Sequence, residues 1–513
     1  MESRLSPYLY IRADGTRRLG LGHVMRCLAL AQQWIADGGT TVFMGQIDSP
    51  ALIQRLTGEG IRYIPLEEAY PDPRDLEKTL AVLGETSDPQ SPARPCWVVL
   101  DGYHFDPAYQ QAIRQAGYRL LMLDDNAHWP EYHAHILLNQ NPHAAESLYA
   151  HREPDTRLLL GTHYALLRRE FFPWREWNRE TPDLARKILL TMGGSDPDNV
   201  TLRVLQALRD VFVEGLEVKV IVGAANPHYA ALQAEAEHAL HALHAIQLEQ
   251  NVTDMPALMA WADVVISASG SACWELAFMG LPSILVVLAE NQLPLAAWLD
   301  AVGVALSLGW HADLSVSKVA ETLSNLIHDT TRRKIMQRRG RELVDSLGSE
   351  RVAGAMQLPY LHLRPARAAD RLLVFQWANE PGVRAVSFSS EVISWDAHVI
   401  WFDKQLNDSR SLFFIAENGI GKPVGQVRFV LDDHQATISI SLDHTIRGRG
   451  FGRSLIALAS QQVFENTPVT LIHAYIKQGN TASQRAFAGA GYRLQEPVMI
   501  KERPAFHMIL EAI

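Results

Sequence analysis

At 513 residues the chain is too long for one hydrophobic core, and two to four domains are expected. Hydrophobic residues make up 47% and charged residues 20%, and 57 acidic against 47 basic side chains give a net charge of -10, which argues against general binding of nucleic acid or anionic membranes. Three widely spaced cysteines (Cys27, Cys96, Cys273) support neither a disulfide framework nor a zinc cluster.

From Tyr8 to about Asn141, short apolar runs alternate with helical patterns, as in a parallel sheet covered by helices. The runs are Tyr8–Ala13, Thr41–Met44, Trp97–Leu100, Leu120–Leu123 and Ile136–Leu138. The first feeds a glycine-bearing loop, Gly20-Leu21-Gly22, and a helical pattern begins at His23. A helix N-terminus favours an anion and disfavours positive charge, so a neutral His23 beside a bound phosphate is expected there. Asp101-Gly102-Tyr103 follows the strand Trp97–Leu100, and Asp124-Asp125 follows the next.

Arg168–Pro182 reads as a crossover, and a second set of strands begins with Lys187–Met192, Val218–Val222, Val264–Ser267 and Ile284–Leu288. Two strand-to-helix glycine turns punctuate it, Met192-Gly193-Gly194-Ser195-Asp196 and Ser269-Gly270-Ser271. Such turns let backbone amides approach a pyrophosphate without Cβ obstruction, and Glu275 on the following helix is placed to take ribose hydroxyls. Taken singly, these are equally well tight turns, loop-capping aspartates and a packed histidine. Together, on the facing ends of two sheets, they point to a ligand cleft.

Beyond Pro359 the strands come consecutively, at Leu412–Glu417, Pro423–Leu431 and Ala436–Leu442, before a helix over Gly452–Phe464. That order is α+β with a mostly antiparallel sheet. Between the last strand and this helix lies Leu442 and then Arg447-Gly448-Arg449-Gly450-Phe451-Gly452, an anion nest with two arginines. Asn480-Thr481-Ala482-Ser483, Phe487 and Gly491-Tyr492 follow. The divisions expected are 1–172, 173–357 and 361–513.

In order and spacing, GLGHVMR (20–26), LDGY (100–103), LLNQN (137–141), YALLRREF (164–171), MGGSD (192–196), ISASGSACWE (266–275) and LAENQ (288–292) resemble the UDP-sugar hydrolases of pseudaminic acid biosynthesis. These are relatives of the lipid-intermediate glycosyltransferases, with two Rossmann-like domains of glycosyltransferase B type. The resemblance implies inverting hydrolysis of UDP-2,4-diacetamido-2,4,6-trideoxy-β-L-altropyranose with no metal. It makes His23 the water activator and has Tyr103 and Asn291 line the sugar. Arg12, Asp14, Gly20, Gly22, Arg26, Gly193, Gly194, Ser269, Gly270, Ser271, Glu275 and Gln292 are the expected substrate-binding residues. Ser269-Gly270 departs from the paired glycines of many relatives. Glycosyl transfer or epimerisation are the rivals on this fold, but no apolar or basic acceptor patch is concentrated in 1–141.

The last 150 residues resemble the GNAT acetyltransferases. By that resemblance Leu442, Arg447, Gly448, Arg449, Gly450, Phe451, Gly452, Asn480 and Ser483 hold acetyl-CoA. Phe487 stands where a tyrosine general acid is usual, leaving Tyr475, Tyr492 and His473 nearby, and Glu417 is a candidate base. Trp377-Ala378-Asn379, Val383-Arg384, Ser387-Phe388 and His398-x-x-Trp401-Phe402 read as packed helices. The same set resembles acetyltransferases of amino-sugar nucleotides, which makes Arg384, Ser387 and His398 acceptor candidates. The chain is thus expected to be a bifunctional cytoplasmic enzyme that acetylates a UDP-4-amino sugar and hydrolyses the product. The alternatives are an acyl-CoA-binding regulatory domain, or the same chemistry on a related diacetamido sugar.

Overall fold

The computed structural model describes residues 7–16, 19–66, 72–86, 96–194, 196–223, 226–239, 244–250, 252–419 and 421–512. They form two compact units, one of 7–92 with 96–352 and one of 353–512. Ser195, in the second glycine turn, lies outside the described residues.

The first unit holds two parallel sheets. In the first, β1 (Tyr8–Ala13), β2 (Thr40–Gly45), β3 (Arg62–Pro65), β4 (Cys96–Asp101), β5 (Arg119–Leu123), β6 (Ile136–Asn139) and β7 (Arg157–Leu160) take the order β3-β2-β1-β4-β5-β6-β7. The second is built from β8 (Lys187–Thr191), β9 (Leu216–Ile221), β10 (His244–Glu249), β11 (Val264–Ala268), β12 (Ser283–Val287) and β13 (Ala305–Trp310), ordered β10-β9-β8-β11-β12-β13. Both are doubly wound, Rossmann-like sheets. Central strands such as β4 are buried along their whole length, because helices cover both faces, which is why they read as unbroken apolar runs.

Strand order reverses between β1 and β4 in the first sheet and between β8 and β11 in the second. Loops at the carboxyl ends of such strands flank an open crevice. The glycine loops after β1, β8 and β11 therefore all lie at switch points, as does Asp101, which ends β4 in register with Ala13 of β1.

The second unit is α+β. Its strands are β14 (His362–Pro365), β15 (Ser411–Glu417), β16 (Pro423–Asp432), β17 (Gln435–Leu442), β18 (Leu471–Lys477), β19 (Arg493–Leu494), β20 (Val498–Ile500) and β21 (Arg503–Glu511). They run β14-β15-β16-β17-β18-β21-β19, with β20 on β21. The sheet is antiparallel except where β17 meets β18, and that parallel ladder covers only Gln435–Thr437 against Leu471–His473. One face packs the helix Phe451–Asn466 through Phe451, Leu455 and Ile456, and the other packs Val374, Trp377 and Phe402.

Candidate functional site

The loop after β1 enters the helix Gly22–Ala36, whose N-cap, Leu21, makes no side-chain hydrogen bond and whose first turn has no acidic residue. Its leading N–H groups are therefore left without a side-chain cap, the condition for binding an anion. His23, expected at this helix N-terminus, also has a carboxylate partner. His23 Nδ1 lies 2.6 Å from Asp101 Oδ1. A carboxylate only accepts, so Nδ1–H donates, and Nε2 is the nitrogen placed to take a proton. The His23 side chain is 11% exposed while that of Asp101 is 0% exposed.

Asp101 is held further by Arg26, whose Nε and Nη2 donate at 2.7 and 2.6 Å. Burial favours the neutral acid, yet Arg26 and His23 override it and keep the Asp101 carboxyl well below its ordinary range. Arg26 Nη1 spans to Asp125 at 2.8 and 2.9 Å. Arg26, expected to bind substrate, thus has its guanidinium committed to two carboxylates, the buried Asp101 and the half-buried Asp125. Arg12 and Asp14 are likewise turned inward, fully buried or nearly so, with Arg12 bonded to Asp14 and Asp75 and Asp14 accepting from the Gln46 amide. They support the loop from beneath and offer no surface to a ligand.

Tyr103, on the loop after β4, stands edge-on to the His23 ring at 5.2 Å between centroids. Its hydroxyl lies 3.4 Å from Asp125 and receives a 2.8 Å hydrogen bond from Asn291 Nδ2, which belongs to the second sheet's side. Burial, with Asp125 alongside, pushes the Tyr103 phenol well up, so it stays a neutral hydroxyl. Asp125 also accepts from Asn141 Nδ2 at 3.1 Å. The sequence places Asp101 and Asp125 at strand ends and Asn141 within LLNQN (137–141), but assigns none of them a role in the site. Their signal was position, because Asp101 ends β4 while Asp125 and Asn141 follow the carboxyl ends of β5 and β6.

The glycines set how closely the two loop systems meet. A Cβ on Gly22 would lie 3.1 Å from Ser271 Oγ, and one on Gly194 would lie 3.3 Å from Leu21 Cγ. Gly20 and Gly193 have φ of +79° and +83°, which glycine adopts without strain. Ser269 is corrected. It is 0% exposed and its hydroxyl is 3.3 Å from Gln292 Oε1, which also receives the Leu288 amide, so both side chains brace the turn. Gly270 lies beside the Gln292 amide. Glu275 Oε1 accepts from Arg168 Nε and Nη2 at 3.0 and 2.8 Å, while burial pushes its carboxyl up.

In the 353–512 unit, Gly448 and Gly450 take φ of +78° and +87°, and Gly450 opens a 16-residue helix without a side-chain cap. Arg447, expected to meet a pyrophosphate, donates to Glu380 at 2.7 and 2.5 Å and to the Leu442 carbonyl. Arg449 and Phe451 are buried, Arg449 against Gly354 and Phe451 in the core, and Gly452 sits against Leu442 and Ala486. Asn480 Oδ1 caps the helix Thr481–Gly489 by accepting from the Ser483 amide.

The residues near the missing tyrosine and the candidate base have these surroundings. Tyr492 is 3% exposed, packs edge-on to Phe487 and shares a 2.8 Å hydrogen bond with Ser460, and burial pushes its phenol up. Glu417 accepts from Arg364 at 2.6 Å and contacts His362 at 3.1 Å. Burial is outweighed and its carboxyl is lowered, which makes it a poor base. His473 Nδ1 contacts His507 Nε2 at 2.9 Å, and Tyr475 stacks on His507. Of the acceptor candidates, His398 is a core histidine, 1% exposed, with Nε2 on the Arg371 carbonyl. Ser387 Oγ donates to the Val383 carbonyl and receives Arg384 Nη2.

Among the described residues, no group of three or more His, Cys, Asp or Glu could hold a metal ion, and no helix is long and apolar enough to cross a membrane. Residues 188–349 match the Glycosyltransferase family 28 C-terminal domain, and residues 360–493 match the Acetyltransferase (GNAT) domain. An uncharacterized protein of Methanocaldococcus jannaschii is 22% identical over 510 residues, covering 94% of this chain and 96% of its own. The UDP-2,4-diacetamido-2,4,6-trideoxy-beta-L-altropyranose hydrolase of Campylobacter jejuni is 24% identical over 294 residues, 57% of this chain and 96% of that one. Among solved structures, Acinetobacter baumannii MurG aligns with a TM-score of 0.48 at 17% identity, over 68% of this chain and 99% of its own. The chain carries two Rossmann-like sheets, the second within a match to the family 28 C-terminal domain, and an α+β unit that matches the acetyltransferase (GNAT) domain model.

Proposed function

We propose that the 7–352 unit hydrolyses UDP-2,4-diacetamido-2,4,6-trideoxy-β-L-altropyranose to UDP and the free sugar. The observation that carries this reading is the His23–Asp101 pair at the first sheet's switch point, opposite the Gly193–Gly194 and Ser269–Ser271 turns. His23 Nε2 takes a proton from water as the water oxygen bonds to the anomeric carbon. The bond from that carbon to the β-phosphate oxygen breaks, its electron pair leaves with UDP, and the configuration inverts. Asp101 orients the imidazole and stabilises the imidazolium. Amides at the start of the helix Gly22–Ala36 and of the second-sheet turns meet the charge on the diphosphate, while Tyr103 and Asn291 line the sugar. His23→Ala is expected to abolish UDP release while nucleotide binding persists. Loss of binding instead would mean that His23 is structural.

The 353–512 unit, in the same reading, N-acetylates the preceding UDP-4-amino sugar. The amine nitrogen bonds to the thioester carbonyl carbon of acetyl-CoA, the C–S bond breaks, CoA leaves as thiolate, and the nitrogen loses one proton to water. Backbone amides of Gly448–Gly452 face the CoA pyrophosphate, and the open part of the β17–β18 pair leaves backbone groups for the pantetheine arm. One observation favours a second reading, an acyl-CoA-binding regulatory domain: the Tyr492 hydroxyl is buried on Ser460 and Phe487 has none, so this corner supplies no proton to the thiolate. Incubation with acetyl-CoA and the 4-amino nucleotide sugar separates the two. Free thiol supports transfer, and its absence supports regulation.

A further inference from the structure

Gln426 Oε1, Ser441 Oγ and Arg384 Nε are buried without a hydrogen-bond partner. Orphaned buried polar atoms are uncommon in folded proteins and call for an explanation. Gln426 and Ser441 are register partners across β16 and β17, so their side chains share one face of the sheet. On its other side Gln426 pairs with Ile415, which packs against Trp377 of the helix Arg371–Asn379. That helix roofs the strands, and Trp377 Nε1 donates to Asp443 Oδ2 at 2.8 Å just past the end of β17. The next helix, Pro381–Val386, is tied to the neighbouring strand by Lys477 Nζ donating to the Ala385 carbonyl at 2.8 Å. Arg384 sits on it, with Nη1 and Nη2 used on Ser389, Glu391 and Ser387, which leaves Nε.

The orphaned atoms have a definite chemistry. A carboxamide oxygen only accepts, and a serine hydroxyl can accept as well, so this pair calls for a ligand with more than one N–H. A primary amine meets that need. The Arg384 N–H calls instead for an oxygen acceptor, such as the carbonyl of an acetamido group on the same ring. The β17–β18 ladder stops at Thr437, four residues before Ser441, so the pair lies beside the opening where a thioester would reach the sheet.

We propose that Gln426 and Ser441 hold the amine of an amino-sugar acceptor, with Arg384 on a neighbouring ring oxygen. The proposal rests on the acetyl-transfer reading only for what happens to that amine. Gln426→Leu and Ser441→Ala remove the unpaired oxygens, so the thermal midpoint is expected to stay level or rise, since a desolvated orphan is relieved. The test titrates a UDP-4-amino-4,6-dideoxy sugar into the full CoA-loaded chain by calorimetry and, in parallel, follows thiol release from acetyl-CoA. Both variants should weaken the amine-dependent component and raise the acceptor KM by about tenfold or more, with the acetyl-CoA KM unchanged. Gln426→Glu, which keeps an acceptor, should retain the amine. Amine binding lost in the variants without any thiol release by the wild type would uphold the pocket and overturn acetyl transfer. Thiol release with an unchanged acceptor KM in both variants would uphold transfer and overturn the pocket.

Discussion

Replacing Asp101 by asparagine tests the centre of the hydrolase reading. Asp101 receives four donors: His23 Nδ1 at 2.6 Å, Arg26 Nε at 2.7 Å, Arg26 Nη2 at 2.6 Å and Cys27 Sγ at 3.3 Å. An amide has one acceptor oxygen, and its NH2 would face donors. Removing one partner of a buried ion pair costs about 3–5 kcal/mol, and the lower end is expected because Arg26 keeps Asp125. Asp101→Asn should also leave His23 misoriented, lowering kcat for UDP release by about 10²–10⁴. The pH dependence has a definite sign. The folded carboxyl is held below its unfolded value, so its stabilisation is complete above about pH 4 and is lost as pH falls further. Thermal melts of wild type and variant should therefore differ most near neutral pH and converge in acid. A variant that releases UDP at the wild-type rate, or a gap in Tm that widens on acidification, would refute the reasoning.

Tyr492→Phe should leave thiol release from acetyl-CoA intact and lower stability by about 1 kcal/mol through loss of the Ser460 hydrogen bond. A large fall in kcat would make Tyr492 the missing acid. His398 is lowered by burial, so protonation opposes folding. Its neutral form contributes stability above about pH 6.5 that is lost as pH falls toward the folded value. His398→Phe should therefore flatten the acid side of the Tm profile between pH 7 and 5, and an unchanged profile would count against that burial. Gly22→Val adds bulk where a Cβ alone reaches 3.1 Å from Ser271 Oγ. It should cripple UDP-sugar hydrolysis while sparing acetyl transfer, and full hydrolysis would show that the loops do not need to approach so closely.

The strands that the sequence makes legible are the interior ones. Leu9–Ile11 and Val264–Ile266 are buried on both faces, so their runs read as continuous apolar stretches, with the buried Arg12 following the first. The strands not singled out in the first two sheets are β3, β7, β10 and β13, and these are the four edges. Arg62–Pro65 is exposed at both ends and half-buried only at Tyr63 and Ile64, so its four residues carry no period-2 signal. In the last unit, Leu471–Lys477 and Arg503–Glu511 hide for a related reason. Their polar residues, such as His473, Tyr475 and His507, occupy the less buried face of the sheet.

For the candidate site, loops were easier to read than partnerships. Gly20–Gly22, Gly193–Gly194 and Ser269–Ser271 announce themselves as strand-to-helix turns, and the switch points bring them together. Which charged residue meets which is a different kind of information. His23 and Asp101 are separated by 78 positions, and only the β1–β4 register brings them together. The same register decides that Arg26 braces carboxylates rather than a sugar. The glycines also divide by physical cause in a way that a motif conceals. Gly20 and Gly193 are required by positive φ, whereas Gly22, at the start of the helix, is required because Ser271 comes so close. Substitutions at the first kind strain the backbone whether or not a ligand is present. Those at Gly22 act through the gap between the two loops, the space where a diphosphate would lie.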